Sequence, residues 1–67
     1  MSKTQIEMQQ RLIDRMTQCH PGHRRRVQRA AEKELHTWFK RQGTDAGTRQ
    51  ACVRDAVDMA YLEMNAD

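Results

Sequence analysis

The chain has few of the residues from which common active sites are assembled. Ser2 is its only serine and lies at a terminus, where chains fray, so a serine nucleophile is not expected. The three glycines are isolated and match neither of the common phosphate-binding patterns, G-x-x-x-x-G-K-[ST] and G-x-G-x-x-G. A chain of 67 residues is also too short to enclose the pocket of about 300 Å³ or more that substrates usually occupy. We expect a protein that is not an enzyme and uses no cofactor.

Long apolar stretches are missing as well. No apolar run approaches the roughly 20 residues that span a bilayer, and the first residues lack the basic-then-apolar order of a secretory signal. Two cysteines without such a signal are typical of reduced thiols rather than of a disulfide framework. These absences predict a cytoplasmic protein that does not enter a membrane.

The apolar residues that are present recur at helical spacing. Three segments, at about residues 4–19, 22–42 and 48–65, have apolar residues three and four positions apart, and no strand-like alternation competes with them. The sequence therefore predicts an all-α fold with one domain, residues 1–67. The expected architecture is a small three-helix bundle of up-down-up topology, with short turns near 19–22 and 43–47.

Both turns contain residues that end or begin helices. Pro21 disfavours the helical conformation of His20 and so ends the first segment. Gly43 suits the left-handed position that follows a helix, and it should end the second segment. Asp45 and Thr48 are alternative N-caps for the third segment.

Each predicted helix has one apolar face. In the second helix, Phe39 and Ala30 are predicted to flank this face rather than to form its centre. The residues predicted to point inward are Met8, Leu12, Met16 and Cys19 in the first helix, Val27, Ala31, Leu35 and Trp38 in the second, and Val53, Ala56, Val57, Ala60 and Met64 in the third.

The net charge of +3 conceals an uneven distribution. Residues 20–43 carry seven Lys or Arg against two Glu, whereas residues 44–67 carry two Arg against five Asp or Glu. Five residues of the second helix, four cationic and one histidine, follow steps of three and four, which keeps them on one face over about 21 Å. That face lies opposite the predicted apolar face. The candidate binding residues are these five and the two arginines that precede them: Arg24, Arg25, Arg26, Arg29, Lys33, His36 and Lys40.

A row of cations on a rigid helix suits a regular polyanion such as the phosphate backbone of DNA or RNA. Arg24 and Arg25 support this hypothesis. Cations in the first turn oppose the helix dipole, so helix stability alone would favour Asp or Glu there, and a binding role accounts for the arginines. A helix-turn-helix alignment fails, since it puts Phe39 where a small residue should pack and Arg49 where an apolar residue is expected. The aromatic residues do not interleave with the cations, so base stacking is only weakly supported. We predict contact mainly with the backbone and little sequence preference.

A protein partner is the alternative. The basic helix would also suit an acidic patch on another protein, as an adaptor or inhibitor. Some apolar residues lie off the main inward faces of the first and third helices, where a partner or a second copy of the chain would pack. The candidate interface residues are Ile6, Ile13, Met59 and Leu62. Attachment to anionic lipid ranks below both, because the apolar face of the second helix would have to leave the core.

The segment Cys19-His20-Pro21-Gly22-His23 resembles half of a zinc site, and Cys52 is a further thiol. In an up-down-up bundle, however, Cys19 and Cys52 lie at opposite ends, too far apart to share a metal ion or to form a disulfide. We therefore predict no metal site and a packing role for both thiols.

Overall fold

The computed structural model describes residues 3–66. Within that range the chain forms α1 (Lys3–Gln18), a 3₁₀ turn (Pro21–His23), α2 (Arg24–Arg41) and α3 (Ala46–Asn65), and it contains no strand. Each helix packs against the other two, in a body of 35 × 21 × 18 Å. The predicted small three-helix bundle is confirmed. Residues 1, 2 and 67 of the predicted domain lie outside the described residues.

Side-chain contacts give the directions of the helices. Met8 shares a groove with Trp38, whereas Arg15, farther along α1, reaches Glu34, so α1 and α2 are antiparallel. The order of contacts between α1 and α3 is the opposite. Nε2 of Gln9 donates a 3.0 Å hydrogen bond to the Cys52 carbonyl, and residues farther along α1 meet residues farther along α3, so these two helices are parallel. Gln9 is itself buried, and this bond gives its Nε2 a partner.

The first turn is longer than predicted, because a 3₁₀ turn precedes the second helix. His20 has the extended backbone expected before a proline, and its Nδ1 accepts a 3.0 Å hydrogen bond from the amide of Gly22. The amide of His23 then donates a 2.8 Å bond to the His20 carbonyl, which closes a 3₁₀ turn. As a result α2 begins at Arg24 rather than at residue 22.

α2 ends with the predicted glycine. Gly43 has φ +79°, a left-handed conformation that is strained for residues with a side chain. The amide of Thr44 donates to the Phe39 carbonyl (3.2 Å), and the amide of Gly43 donates to the Lys40 carbonyl (3.1 Å). This pair of bonds is a Schellman motif, which satisfies carbonyls that the helix end would otherwise leave free.

Of the two alternative N-caps, the structure uses Asp45. Its Oδ1 accepts a 2.7 Å hydrogen bond from the Thr48 hydroxyl, and its Oδ2 accepts a 3.1 Å bond from the Thr48 amide. Both bonds favour the carboxylate, so they hold the pKa of Asp45 below its usual value. α3 consequently begins at Ala46, two residues before the predicted start.

All three helices contribute to one apolar core. The buried apolar residues are Leu12, Ile13, Met16, Ala31, Leu35, Phe39, Val53, Ala56, Val57 and Ala60. Most of these residues were predicted to face inward. Within residues 3–66, no helix has the length and apolar character needed to cross a membrane.

The orientation of α2 differs from the prediction by a fraction of a turn. Phe39, predicted on the flank, is 1% exposed, whereas Trp38, predicted at the centre of the apolar face, is only partly buried. The two rings meet edge to face, with centroids 5.1 Å apart. The residues of α2 that enter the core are Ala31, Leu35 and Phe39, each four positions from the next. Trp38 is thereby moved to the edge of the molecular surface.

Candidate nucleic-acid interface

We use the name basic face for the outward side of α2. The exposed residues Arg25, Arg26, Arg29, Lys33 and Lys40 and the partly buried His36 form it. Because the core takes up the opposite side of the helix, this face is directed to solvent along most of the length of α2. Its cations extend over about 20 Å at 1.5 Å per residue.

The cations of the basic face have no carboxylate partners in the described part of the chain. Both ion pairs found there involve Glu34, which binds Arg15 at 2.7 Å and Arg11 at 3.5 Å. These two arginines belong to α1. Glu34 therefore ties α1 to α2 and forms no ion pair with the basic face. Glu32, the other carboxylate of α2, lines a groove with His36 and accepts a 3.3 Å hydrogen bond from Nε2 of Gln28.

Asp55 of α3 lies away from the basic face. Asp55 lines the groove between α1 and α3, next to Ile6 and Met59. One contact of α3 with α2 is between neutral groups, since the Tyr61 hydroxyl donates a 2.6 Å hydrogen bond to Oε1 of Gln28.

Arg24 differs from the other predicted binding residues. It is the first residue of α2 and is partly buried, and its Nε is buried with no hydrogen-bond partner. The N-cap residue His23 makes no side-chain bond to the helix. The start of α2 thus has a free cap position, but Arg24 is less available to a ligand than Arg25 or Arg26.

The four residues predicted as a protein interface have different exposures. Leu62, Ile6 and Met59 are 70%, 52% and 51% exposed, whereas Ile13 is 3% exposed and belongs to the core. Ile6, Ile13 and Met59 line one groove of about 260 Å³ between α1 and α3, and Leu62 lies one turn beyond Met59 on α3. We call this surface the apolar face. Ile13 contributes only to its floor.

The two cysteines are free, and they lie toward opposite ends of the bundle, as predicted: Cys19 follows the end of α1, and Cys52 of α3 lies beside Gln5 near the start of α1. The thiol of Cys19 donates to the Met16 carbonyl at 3.2 Å, and Sγ of Cys52 accepts a 3.7 Å bond from Nε2 of Gln5. Across residues 3–66, no group of three or more His, Cys, Asp or Glu side chains is arranged to hold a metal ion.

Sequence reasoning missed a groove next to the basic face. It is open, has a volume of about 440 Å³ and lies between α1 and α2. Its lining residues are Met8, Ala30, Lys33, Glu34, Thr37, Trp38 and Arg41. The four-residue steps from Lys33 to Arg41 were a signal in the sequence for one side of this groove. Met8 belongs to another helix, so its contribution depends on tertiary packing.

Comparison of the chain with protein-family models, curated proteins and solved structures finds no match to any of them.

Proposed function

We propose that the protein is a non-enzymatic binding module that contacts nucleic acid, mainly its phosphate backbone, through the basic face. The observation that carries the proposal is the row of cations on one helix that form no ion pair within residues 3–66. A charged surface that serves only solubility has both signs interspersed, whereas Glu34, the carboxylate of α2 that forms ion pairs, is bound to arginines of α1.

Phosphate chemistry suits this arrangement. Lys and Arg side chains that neutralise phosphates release condensed counterions, and this release drives the association of proteins with nucleic acids. Arginines add paired hydrogen bonds to phosphate oxygens. Contacts of this kind position a nucleic acid and carry no sequence information directly. The proposed activity is therefore binding with little sequence preference. The large grooves are open to water, which supports binding rather than catalysis.

Charge reversal tests the proposal. A variant with Arg29→Glu and Lys33→Glu should lose most of its affinity for a nucleic acid, measured by fluorescence anisotropy of a labelled strand. The matched control, Lys3→Glu with Thr4→Glu and Gln10→Glu, also lowers the net charge by four, but on α1, and it keeps the pair between Arg11 and Glu34. It should keep most of the affinity. If both variants lose affinity equally, net charge rather than the basic face determines binding, and the proposal is wrong.

A second candidate function, also favoured by one observation, is docking of another protein on the apolar face. Ile6, Met59 and Leu62 are exposed on the side of the bundle away from α2. Asp55 lines the same groove, and Asp58 and Glu63 are exposed on the same helix. Two copies packed through this face would bring like charges together, so the suitable partner carries cations beside apolar side chains.

The second candidate is tested by light scattering and by Met59→Lys. The chain should be monomeric, and Met59→Lys should abolish binding of a cationic amphipathic helical peptide while leaving binding of nucleic acid unchanged. A dimer that Met59→Lys dissociates would identify a second copy of the chain as the occupant instead.

A further inference from the structure

The groove beside the basic face is lined by one aromatic and two cationic side chains. Trp38, the only tryptophan of the chain, lies in it with the apolar side chains of Met8 and Ala30. Lys33 and Arg41 are exposed and belong to its lining. Glu34 also lines the groove, but its charge is compensated by Arg11 and Arg15, which bind it from α1. The groove thus places the apolar side chains of Met8, Ala30 and Trp38 next to the cationic side chains of Lys33 and Arg41.

Lys33 belongs both to the basic face and to this groove. A strand whose phosphates follow the basic face therefore passes the opening of the groove. At this point an unstacked base has a short path from the backbone to the accessible part of the indole of Trp38. Phe39 holds the indole from the core side by an edge-to-face contact, with ring centroids 5.1 Å apart.

We propose that this groove takes one unstacked nucleobase of a single-stranded nucleic acid, which stacks on Trp38 while Lys33 and Arg41 hold the adjacent phosphates. This inference rests on the proposed function and names its ligand class. Every base has a flat π-face, so stacking tolerates any sequence. In a duplex the bases are stacked on one another and paired, so the groove favours single strands.

Two ligands separate the roles of base and backbone. An oligothymidylate has both, whereas an abasic deoxyribose-phosphate strand of the same length has the charge alone. The oligothymidylate should quench the fluorescence of Trp38 and bind more tightly than the abasic strand or a duplex of equal length. An oligouridylate should behave like the oligothymidylate, because RNA and DNA single strands offer the same stacking chemistry. The abasic strand should bind without quenching.

Substitutions at Trp38 complete the test. Trp38→Leu keeps an apolar side chain and should weaken binding of the oligothymidylate by about 5- to 150-fold, which corresponds to about 1–3 kcal/mol for one stacked base. Trp38→Tyr restores an aromatic ring and should recover much of the affinity. Binding of the abasic strand should be the same in all three proteins, and far-UV circular dichroism should be unchanged.

The outcomes distinguish the inference from the proposed function. Equal affinity for the oligothymidylate and the abasic strand, with no quenching, would overturn the inference and leave the basic face as the binding site. The inference would also be overturned if the duplex bound most tightly. The same holds if Trp38→Leu weakened the binding of the oligothymidylate and of the abasic strand equally. If no nucleic acid binds at low salt, both proposals fail.

Discussion

Glu34 of α2 accepts a 2.7 Å hydrogen bond from Arg15 of α1 and lies 3.5 Å from Arg11. The bond joins two helices and also neutralises a carboxylate that would otherwise face the cations of α2. Glu34→Gln removes this carboxylate and leaves the charges of Arg11 and Arg15 without a partner, so it should raise the affinity for a polyanion a few-fold. Because these side chains are 37% to 63% exposed, the loss of unfolding free energy should stay below about 1 kcal/mol.

Glu63→Gln is the matched control for this change. Glu63 is exposed on α3 and makes the same difference to net charge. Its effect on anisotropy titrations of a labelled strand should be clearly smaller than that of Glu34→Gln. Equal effects would mean that only the total charge matters.

The salt dependence of binding counts the phosphates that are neutralised. If four or five cations of the basic face take part, the plot of log affinity against log salt concentration should have a slope of about −3 to −4. Lys33→Gln should remove one phosphate contact and so reduce the magnitude of this slope by about 0.7 to 0.9. Arg11→Gln should leave it unchanged, because Arg11 is paired with Glu34. A flat plot would contradict binding through phosphates.

Two glycines should respond in opposite ways to the same substitution. Gly43 has φ +79°, so Gly43→Ala should cost about 1 kcal/mol and lower the Tm by about 4–8 °C. Gly47 lies inside α3, and a Cβ there would meet Oδ2 of Asp45 at 3.4 Å, an ordinary contact. Gly47→Ala should gain about 0.5 kcal/mol. Thermal unfolding followed by circular dichroism checks both, and a neutral Gly43→Ala would contradict the Schellman motif.

Asp45 should make stability depend on pH in a defined direction. Hydrogen bonds from the hydroxyl and amide of Thr48 lower the pKa of Asp45 in the folded state. The unfolded chain therefore takes up this proton first, and the stabilisation is present above the ordinary aspartate pKa of about 4. It is lost as the pH falls through the lower pKa of the folded state.

Asp45→Asn separates this effect from the capping itself. Asparagine is an N-cap of similar quality, so the Tm near neutral pH should change little. Below about pH 4 the Tm of Asp45→Asn should fall less steeply than that of wild type, because the asparagine side chain takes up no proton. Asp45→Ala should lower the Tm across the whole range. If Asp45→Asn and wild type have the same acid limb, the capping carboxylate does not contribute to it.

The sequence predicted the helices and the outward direction of the basic face because both follow from local periodicity. Gly43 was predictable for the same reason, since a left-handed residue after a helix favours glycine. Asp45 and Thr48 were equivalent as N-caps by residue type, and only the path of the turn selects Asp45. The start of α2 was wrong by two residues, because the 3₁₀ turn depends on the bond between His20 and Gly22.

The position of Trp38 was beyond sequence reasoning for a different reason. A helical wheel gives the apolar side of α2 to within about one residue, and Trp38 and Phe39 are adjacent on it. Which ring enters the core depends on the space left by α1 and α3, and the smaller Phe39 takes it. The groove at Trp38 also needs Met8 from α1.

The separation of charge between α2 and the rest of the bundle has an electrical consequence for the whole molecule. Residues 20–43 carry a formal charge of +5, while the remainder of the chain carries −2 of the net +3. Because the basic face lies on one side of the bundle and Asp55 lies in the groove between α1 and α3, the protein should have an electric dipole moment. In dilute buffer, neighbouring molecules should attract one another head to tail, and the protein should become more soluble as ions are added.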